Sequence, residues 1–323
     1  MKLTIGIALL CFSLILAQPE KNGGNSPRYV LVLHGGAGGW NRDVFKDSIK
    51  LIHKAGIEKA LKAGTDILKA GGTALDAVEQ AVKILEDDPL FNAGRGAVLT
   101  TDGIAELDAS IMSGRDKSAG AVASVTKIKN PITAARAVME KSPHVMLSAT
   151  GAERFAGDHG LELVENSYFI TDETLEIFRK RKATEEKKGT VGAVALDKDG
   201  NLAAATSTGG MMFKKPGRIG DAPIIGAGNY ADNRTCAVSC TGKGEKYIKN
   251  AVAFHISALM EYKGFSLSQA VDYVMDTKLE KGDGGVISLD KDGNYYMKYT
   301  TGGMIRAAAN SEGVWEIKIW ENE

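Results

Sequence analysis

The sequence lacks both a net charge and the catalytic motifs of several large hydrolase classes. Its 323 residues carry 40 lysines and arginines against 40 aspartates and glutamates, so charge does not suggest binding to nucleic acid or to a membrane surface. It contains no G-x-S-x-G elbow, no H-E-x-x-H pair and no Walker loop. Histidine is scarce, and no recognisable ligand spacing joins His34, His53, His144, His159 and His255. A Ser-His-Asp enzyme or a zinc hydrolase therefore has no support.

Cysteine is also scarce, with three residues in the chain. Cys11 lies in the N-terminal apolar run, while Cys236 and Cys240 are close together in the second half. On a single strand the latter two would point to the same face, where the strict geometry of a disulfide is hard to meet. No second Cys or His pair follows to complete a metal site. We interpret Cys236 and Cys240 as buried, small apolar residues.

The composition is otherwise that of an ordinary globular protein, with 44% hydrophobic and 25% charged residues. Its length suits one large domain or two small ones. The 38 glycines indicate many tight turns and places where backbone approaches closely.

The N-terminus has the pattern of a secretory signal peptide. A basic start at Met1–Lys2 precedes an apolar run from Leu3 to Ala17, and the chain becomes polar at Gln18. The alternative is a membrane anchor, but the run is shorter than the about 20 residues that span a bilayer. We expect cleavage after Ala17, which gives a signal peptide over 1–17 and a mature chain over 18–323. The protein is then exported, to the periplasm or fully secreted.

Hydrophobic periodicity predicts alternating helices and strands. The predicted elements are a strand at 28–33, helices at 43–70, 73–86 and 131–141, strands within 97–126 around a turn at Thr101–Gly103, and a charged helix at 171–188. Thr73 is the expected cap of the second helix, and Pro89 ends it.

Two later segments resemble each other, residues 192–211 and 285–304. Each has an apolar strand, an Asp-Gly turn and a second strand that ends in Thr-Gly-Gly-Met, which predicts two hairpins. Neither fits a calcium loop, because no closing Glu follows. Two helices are predicted between them, over 244–278. The pattern indicates an α+β fold in which sheets pack on each other with helices outside.

The candidate nucleophile is Thr190, which follows Gly189 and opens an apolar strand directly after the charged segment. An internal threonine hydroxyl is a weak nucleophile, whereas the α-amine of an N-terminal threonine can take the hydroxyl proton. That amine has a pKa of about 7.7–8.0, so a useful fraction is neutral near pH 7. Cleavage between Gly189 and Thr190 would create both groups in one residue. Taken alone, the pair is more simply explained by a β-favouring Thr at a strand start.

Three further features support the candidate. The predicted hairpin returns Thr208 beside Thr190. Arg218 and Asp221, three residues apart in a glycine-rich loop, suit the carboxylate and ammonium of an amino acid, although they could form a simple surface ion pair. The segment from Cys240 to Glu245 turns from strand into helix, where backbone N–H groups could hold an oxyanion or form an ordinary glycine turn.

The chain closely resembles the plant-type asparaginase and isoaspartyl peptidase family of N-terminal-nucleophile hydrolases. The resemblance runs from about Leu31 to Trp320. The segments that carry it are HGGAG (34–38), DPLFNAGRGAVLTTDGIAELDASIM (88–112), AGAVASV (119–125), NPITAARAVMEKSPHVML (130–147), GTVGAVALDKDGNLAAATSTGGM (189–211), PGRIGDAPIIGAGNYADN (216–233) and SCTGKGE (239–245). It implies a single catalytic domain over 18–323 with a four-layer αββα sandwich. It also implies self-cleavage at Gly189–Thr190 into an α chain, 18–189, and a β chain, 190–323.

The resemblance also implies roles for individual residues. The catalytic group would be Thr190 as nucleophile, Thr208 as its supporting hydroxyl, and Thr241 and Gly242 as the oxyanion hole. The substrate would be bound by Arg218, Asp221 and the Gly244 backbone, with Asn92 ordering the site. His34, Gly35 and Gly36 would lie behind the nucleophile and matter for self-cleavage. Main-chain carbonyls of Leu85, Glu86, Asp88, Phe91, Ala93 and Arg95 would coordinate a structural sodium ion.

The implied activity is hydrolysis of L-asparagine and β-aspartyl peptides to L-aspartate, without an organic cofactor, by a homodimer of αβ units. The alternative is a glycosylasparaginase, a branch in which signal peptides are more familiar. That branch typically has Asp before its nucleophile, where this chain has Gly189. Lys243 within the oxyanion segment and residues 212–215 beside the substrate loop could tune the preferred leaving group. A hypothesis of another class is an uncleaved amino-acid-binding protein that retains Arg218 and Asp221.

Overall fold

The computed structural model describes residues 29–40, 46–180 and 189–323. The strands are β1 (Val30–Gly38), β2 (Leu107–Ser113), β3 (Ala119–Val125), β4 (Met146–Ser148), β5 (Val191–Leu196), β6 (Leu202–Thr208), β7 (Asn229–Ala231), β8 (Cys236–Gly242), β9 (Gly284–Asp290), β10 (Tyr295–Tyr299), β11 (Gly303–Asn310) and β12 (Trp315–Lys318). The helices are α1 (Asp47–Lys69), α2 (Ala74–Asp87), α3 (Pro131–Lys141), α4 (Ala149–Asp158), α5 (Asp172–Lys180), α6 (Gly244–Asn250), α7 (Val252–Lys263) and α8 (Leu267–Thr277).

Two sheets form the middle of the molecule. The larger has the order β12-β11-β1-β5-β6-β2-β3-β4, and the smaller has the order β10-β9-β8-β7. Helices α1, α2 and α3 pack on the outer face of the larger sheet, α7 and α8 pack on the smaller one, and β1, β5 and β6 face β8 and β9. The predicted α+β fold with four αββα layers is confirmed.

The inner strands are buried on both faces because their apolar residues alternate between two cores. On β1, Leu31 and Leu33 pack toward the outer helices, whereas Val30 and Val32 pack toward the second sheet. On β5, Ala193 faces the helices. Each fully buried Val, Leu or Ile contributes about 1.5–3 kcal/mol, so this double burial fixes the register of the strands.

Toward one end of these strands, polar residues continue the row that faces the second sheet. His34 lies two residues after Val32 on β1, Thr206 and Thr208 lie on β6, and Ser239 lies opposite them on β8. All four side chains are buried. A sheet interior lined by hydrogen-bonding side chains is costly unless these groups pair with one another. This polar end of the inter-sheet space is therefore a candidate functional site.

The Asp-Gly hairpins are confirmed and one of them supports a helix. Asp197 Oδ1 accepts hydrogen bonds from the N–H groups of Asp199 and Asn201, while its Oδ2 accepts the N–H of Ala74 at 3.0 Å. Thr73 caps the same helix, as predicted, because its side chain accepts the Asp76 N–H. The β5–β6 turn and the N-terminus of α2 are thus tied together.

Two sequence predictions of local structure are wrong. The turn at Thr101–Gly103 exists, but the hairpin of this region joins β2 and β3 through residues 114–118. Residues 97–106 instead run alongside residues 209–217, with one isolated bridge from Thr100 to Lys214. The region 244–278 contains three helices, because Ala251 adopts a left-handed conformation, with φ of 45°, that separates α6 from α7.

Cys236 and Cys240 are free, buried thiols on β8, as the sequence predicted. Among the described residues, no helix is long and apolar enough to cross a membrane. The predicted signal peptide over 1–17 and the end of the charged segment, 181–188, lie outside the described residues.

Candidate active site

Thr190 lies where β5 begins, opposite the end of β6. Val191 pairs with Ser207 in the antiparallel ladder, so the next pair outward is Thr190 and Thr208. The Thr190 hydroxyl donates a hydrogen bond to Thr208 Oγ at 3.0 Å, and Thr208 Oγ also accepts the Gly210 N–H at 2.9 Å. Both threonines are buried. The hairpin therefore brings the two predicted hydroxyls together.

The scissile candidate, the peptide bond after Gly189, lies against the glycine segment of β1. A Cβ on Gly36 would lie 2.4 Å from Gly189 Cα and 2.7 Å from its carbonyl carbon. Gly36 has a φ of +107°, which L side chains rarely adopt, and the ladder shifts register between His34 and Gly36. Two glycines are needed here so that the backbones can touch beside Thr190.

His34 contacts the backbone of the nucleophile candidate rather than its hydroxyl. Its Nδ1 donates to the Thr190 carbonyl at 2.9 Å, which requires Nε2 to accept from the Ser239 hydroxyl, also at 2.9 Å. Burial lowers the pKa of His34 to about 3, so the ring is neutral. Gly192 leaves room for this pair, because its Cβ would lie 2.4 Å from His34 Nε2. His34 thus orients Thr190 and does not act as its base.

Thr241 and Gly242 end β8 beside the same segment of β1. Thr241 Oγ accepts the Ala37 N–H at 3.3 Å, and Ala37 follows the glycine that touches Gly189. Gly242 has a φ of +154°, and a Cβ there would lie 2.1 Å from the Asp283 carbonyl oxygen. The next residue, Lys243, pairs with Asp283 at 2.9 Å. This ion pair links the turn that follows β8 to the residue that precedes β9.

Asp221 is a buried carboxyl beside the glycine that starts α6. A Cβ on Gly244 would lie 2.9 Å from both Asp221 Oδ1 and Arg218 Nη2, so the missing side chain leaves a space between an acid and a base. Asp221 Oδ2 finds no hydrogen-bond partner among the described residues. Burial raises the pKa of Asp221 to about 7. This arrangement suits the ammonium and carboxylate of an amino acid.

Arg218 makes an ion pair with a residue that the sequence did not single out, Glu245 of α6. Arg218 Nε donates to Glu245 Oε1 at 3.0 Å and Nη2 donates to Oε2 at 2.9 Å. The alternative of a local pair between Arg218 and Asp221 is therefore wrong. Glu245 directly follows Gly244, but it lies 27 residues from Arg218 in the sequence, so the sequence did not indicate that the two side chains pair.

Asn92 holds the residues that follow Thr208. Its Nδ2 donates to the Gly210 carbonyl at 2.8 Å, its carbonyl accepts the Gly209 N–H at 3.0 Å, and its Oδ1 accepts the Val98 N–H at 2.9 Å. The ordering role that the resemblance implies for Asn92 is compatible with these bonds.

The segment from Leu85 to Arg95, where the resemblance implies a sodium site, folds into a tight loop. The Glu86 carbonyl accepts the Arg95 N–H at 2.7 Å, and the Asp88 carbonyl accepts the Phe91 N–H at 3.2 Å. Left-handed glycines at 94 and 96 approach the carbonyls of Glu86 and Pro89 so closely that a Cβ would lie within 2.4 Å of either oxygen. Two of the six carbonyls implied as sodium ligands, those of Glu86 and Asp88, thus accept a backbone hydrogen bond, and the sodium site stays a prediction.

The Glu86 side chain is a second feature that the sequence did not reveal. Its Oε1 accepts hydrogen bonds from Ser207 Oγ at 2.7 Å and from the Ile132 N–H at 2.9 Å, directly behind Thr208. Oε2 has no partner among the described residues. Burial raises the pKa of Glu86 to about 8, so the carboxyl is neutral at pH 7.

Replacement of Glu86 by glutamine should change how stability depends on pH. The wild-type carboxyl keeps its proton when folded but loses it above about 4.5 when unfolded, so folding stability decreases as pH rises from about 4.5 to about 8. Glutamine retains the accepting oxygen without the proton. We expect Glu86→Gln to gain stability relative to wild type between pH 5 and pH 8.5, measured by melting temperature. If the difference in melting temperature between Glu86→Gln and wild type is the same at pH 5 and at pH 8.5, Glu86 does not keep its proton in the folded protein.

The four layers, with two sheets between helices, are those of the N-terminal-nucleophile hydrolases, and the chain is a hydrolase of this class. The family model described as Asparaginase matches residues 27–319, and the chain belongs to this family. It is 48% identical over 294 residues to the isoaspartyl peptidase of Escherichia coli strain K12, covering 86% of this chain and 92% of that protein.

Two eukaryotic relatives are similarly close. The chain is 42% identical to the probable isoaspartyl peptidase/L-asparaginase 2 of Arabidopsis thaliana, covering 82% of this chain and 91% of that protein. It is 46% identical to the isoaspartyl peptidase/L-asparaginase of Rattus norvegicus, covering 87% and 86%. Membership in a hydrolase family gives no support to the alternative of a non-catalytic binding protein.

Proposed function

We propose that this chain cleaves itself between Gly189 and Thr190 and then hydrolyses the β-amide bond of L-asparagine and of β-aspartyl peptides. The observation that carries the proposal is the hydrogen bond between the hydroxyls of Thr190 and Thr208, 3.0 Å long, directly beside the Gly189 backbone. The names of the relatives support the substrate class, since they are isoaspartyl peptidases and L-asparaginases.

Self-cleavage begins when Thr190 Oγ attacks the Gly189 carbonyl carbon. The peptide C–N bond breaks, the nitrogen takes a proton, and an ester joins Gly189 to Oγ. Water hydrolyses the ester, releasing the Gly189 carboxylate and restoring the hydroxyl. Thr190 then carries a free α-amine, with a pKa of about 7.7–8.0 that suits a general base. The products are an α chain, 18–189, and a β chain, 190–323.

In the mature enzyme the Thr190 amine takes the hydroxyl proton while Oγ attacks the substrate's side-chain carbonyl carbon. The oxyanion accepts hydrogen bonds from the Thr241 hydroxyl and the Gly242 N–H. Because Thr241 Oγ accepts the Ala37 N–H, its own hydrogen remains available for donation. Collapse expels ammonia or a peptide amine, protonated by the Thr190 ammonium, and water hydrolyses the β-aspartyl ester.

Substrate binding uses the loop that precedes β7 and the turn into α6. Arg218 binds the α-carboxylate, Asp221 binds the α-ammonium, and the Gly244 backbone lines the space between them. Asn92 keeps the Thr208–Gly210 segment in place through its hydrogen bonds to Gly209 and Gly210, and its side chain is itself held by the Val98 N–H.

A sodium ion held by the carbonyls of Leu85, Glu86, Asp88, Phe91, Ala93 and Arg95 would stiffen the loop that carries Asn92. The basic and apolar start over 1–17 supports export, to the periplasm or outside the cell. Assembly as a homodimer of αβ units is supported by family resemblance.

A substrate panel tests the function. The purified protein, without residues 1–17, should release ammonia from L-asparagine and leucine from β-aspartyl-leucine, but no leucine from the isomeric α-aspartyl-leucine. The α isomer is the matched control, because it differs only in which carboxyl carries the amide. Hydrolysis of N4-(β-N-acetylglucosaminyl)-L-asparagine with no activity on the first two substrates would contradict the proposal and favour a glycosylasparaginase.

A further inference from the structure

Glu245 faces the substrate-binding guanidinium from the outer side. Its two oxygens accept from Arg218 Nε and Nη2 at 3.0 and 2.9 Å, which makes the pair bidentate. The Arg218 side chain is largely buried at 16% exposure, whereas that of Glu245 is 54% exposed. An ion pair with an exposed partner contributes little to the stability of the fold.

The pair determines which edge of the guanidinium remains for a ligand. Arginine has five N–H donors in a fixed plane, and Glu245 occupies the Nε–Nη2 edge. The other edge joins Nη1 and Nη2. A Cβ on Gly220 would lie 2.8 Å from Nη1, and one on Gly244 would lie 2.9 Å from Nη2 and from Asp221 Oδ1. The edge left for bidentate binding therefore opens into the glycine-lined space that also contains Asp221.

We propose that Glu245 is a positioning residue that holds Arg218 with its Nη1–Nη2 edge toward the α-carboxylate of the substrate. The inference rests on the proposed function, because it assigns Arg218 to that carboxylate. Glu245 acts through Arg218 and does not touch the reacting atoms.

Loss of Glu245 should weaken substrate binding rather than strengthen it. Without its partner, Arg218 must lose rotamer freedom on binding, and that entropy cost falls on the affinity. Removal of the negative charge of Glu245 would by itself favour binding of the α-carboxylate. It would also disfavour binding of the adjacent α-ammonium, which has the opposite charge. For a zwitterionic group these two contributions largely cancel, so the orientation effect dominates.

Glu245 also acts on Asp221 through space. The ionisable groups around Asp221 are Arg218 and Glu245, Asp108 of β2, Cys240 of β8 and Tyr247 of α6. Burial is the main cause of the raised Asp221 pKa, and the negative charge of Glu245 raises it further. A neutral residue at position 245 should therefore lower the pH at which Asp221 becomes protonated. The readout that is specific to positioning is a rise in KM without a fall in kcat.

The test compares Glu245→Gln with Glu261→Gln in the processed enzyme. Glu261 is a matched control, because it pairs with Arg234 at 2.7 Å and lines a separate surface cavity with Met260 and Phe265. For β-aspartyl-leucine, we expect Glu245→Gln to raise KM roughly tenfold with kcat within about twofold. In Glu245→Gln, the fall of kcat/KM on acidification should begin at a lower pH than in wild type. Glu245→Asp should recover part of the loss, and Glu261→Gln should match wild type.

The outcomes separate this inference from the proposed function. If wild type cleaves the substrate and Glu245→Gln behaves like Glu261→Gln, the positioning role is wrong while the function stands. A fall in kcat with unchanged KM would also overturn it. Failure of both Glu245 variants to produce the two chains would assign Glu245 to folding or self-cleavage and contradict the role in substrate binding. If wild type itself is inactive on β-aspartyl-leucine, the proposed function fails first.

Discussion

Thr190→Ala should yield an uncleaved chain with no measurable hydrolysis of β-aspartyl-leucine, at least about 10⁴-fold below wild type. The substitution removes the hydroxyl that donates to Thr208 and that attacks the Gly189 carbonyl in the proposed mechanism. His34 does not replace this hydroxyl, because its ring contacts the Thr190 carbonyl. Release of leucine measured by chromatography, with a denaturing gel for the chains, checks both effects.

Thr190→Ser is the matched control, because it retains the hydroxyl and, after cleavage, the amine. We expect it to cleave more slowly than wild type and to retain partial activity, since Ser lacks the methyl group that restricts χ1. An alanine variant that still produced two chains or still released leucine would show that another residue is the nucleophile.

Asp221→Asn should lower kcat/KM for β-aspartyl-leucine about 100-fold while leaving self-cleavage intact. The amide is nearly isosteric but cannot neutralise the α-ammonium of the substrate, and an unpaired buried charge costs several kcal/mol. Folding should not suffer, because burial already disfavours the ionised form of Asp221 and raises its pKa to about 7. The measurement is the rate of leucine release at saturating and limiting substrate.

The same variant should change the pH profile. In wild type, kcat/KM falls below about pH 7 as Asp221 takes up a proton and loses its charge, and the Thr190 amine titrates nearby at about 7.7–8.0. In Asp221→Asn, the pH dependence of kcat/KM should show only the titration of the Thr190 amine. An unchanged profile, or a variant that stays uncleaved, would contradict the assignment of Asp221 to substrate binding.

Much of this site could be predicted from sequence because its central parts are local. A hairpin of known turn chemistry returns Thr208 to Thr190, and the turn residues Asp197 and Gly200 fix the register. The alternation of apolar residues on β5 and β6 is equally local. The resemblance added roles for Arg218, Asp221 and Thr241 that spacing alone could not assign.

The contacts that sequence could not predict join distant segments. Nothing in the pattern around Glu86 indicates that its carboxyl meets Ser207 from 121 residues away. The Arg218–Glu245 pair likewise depends on how the glycine loop folds onto α6. The helix break at Ala251 was missed because its left-handed conformation is rare outside glycine and leaves no compositional signal.

The most direct test of the account is the mass of the chains in the purified protein, with N-terminal sequencing of the smaller one. We expect two chains, the first ending at Gly189 and the second beginning Thr-Val-Gly at residue 190, and a single chain in Thr190→Ala. A single intact chain that hydrolyses β-aspartyl-leucine at the full rate would contradict it, because the base in the mechanism is the amine that cleavage creates.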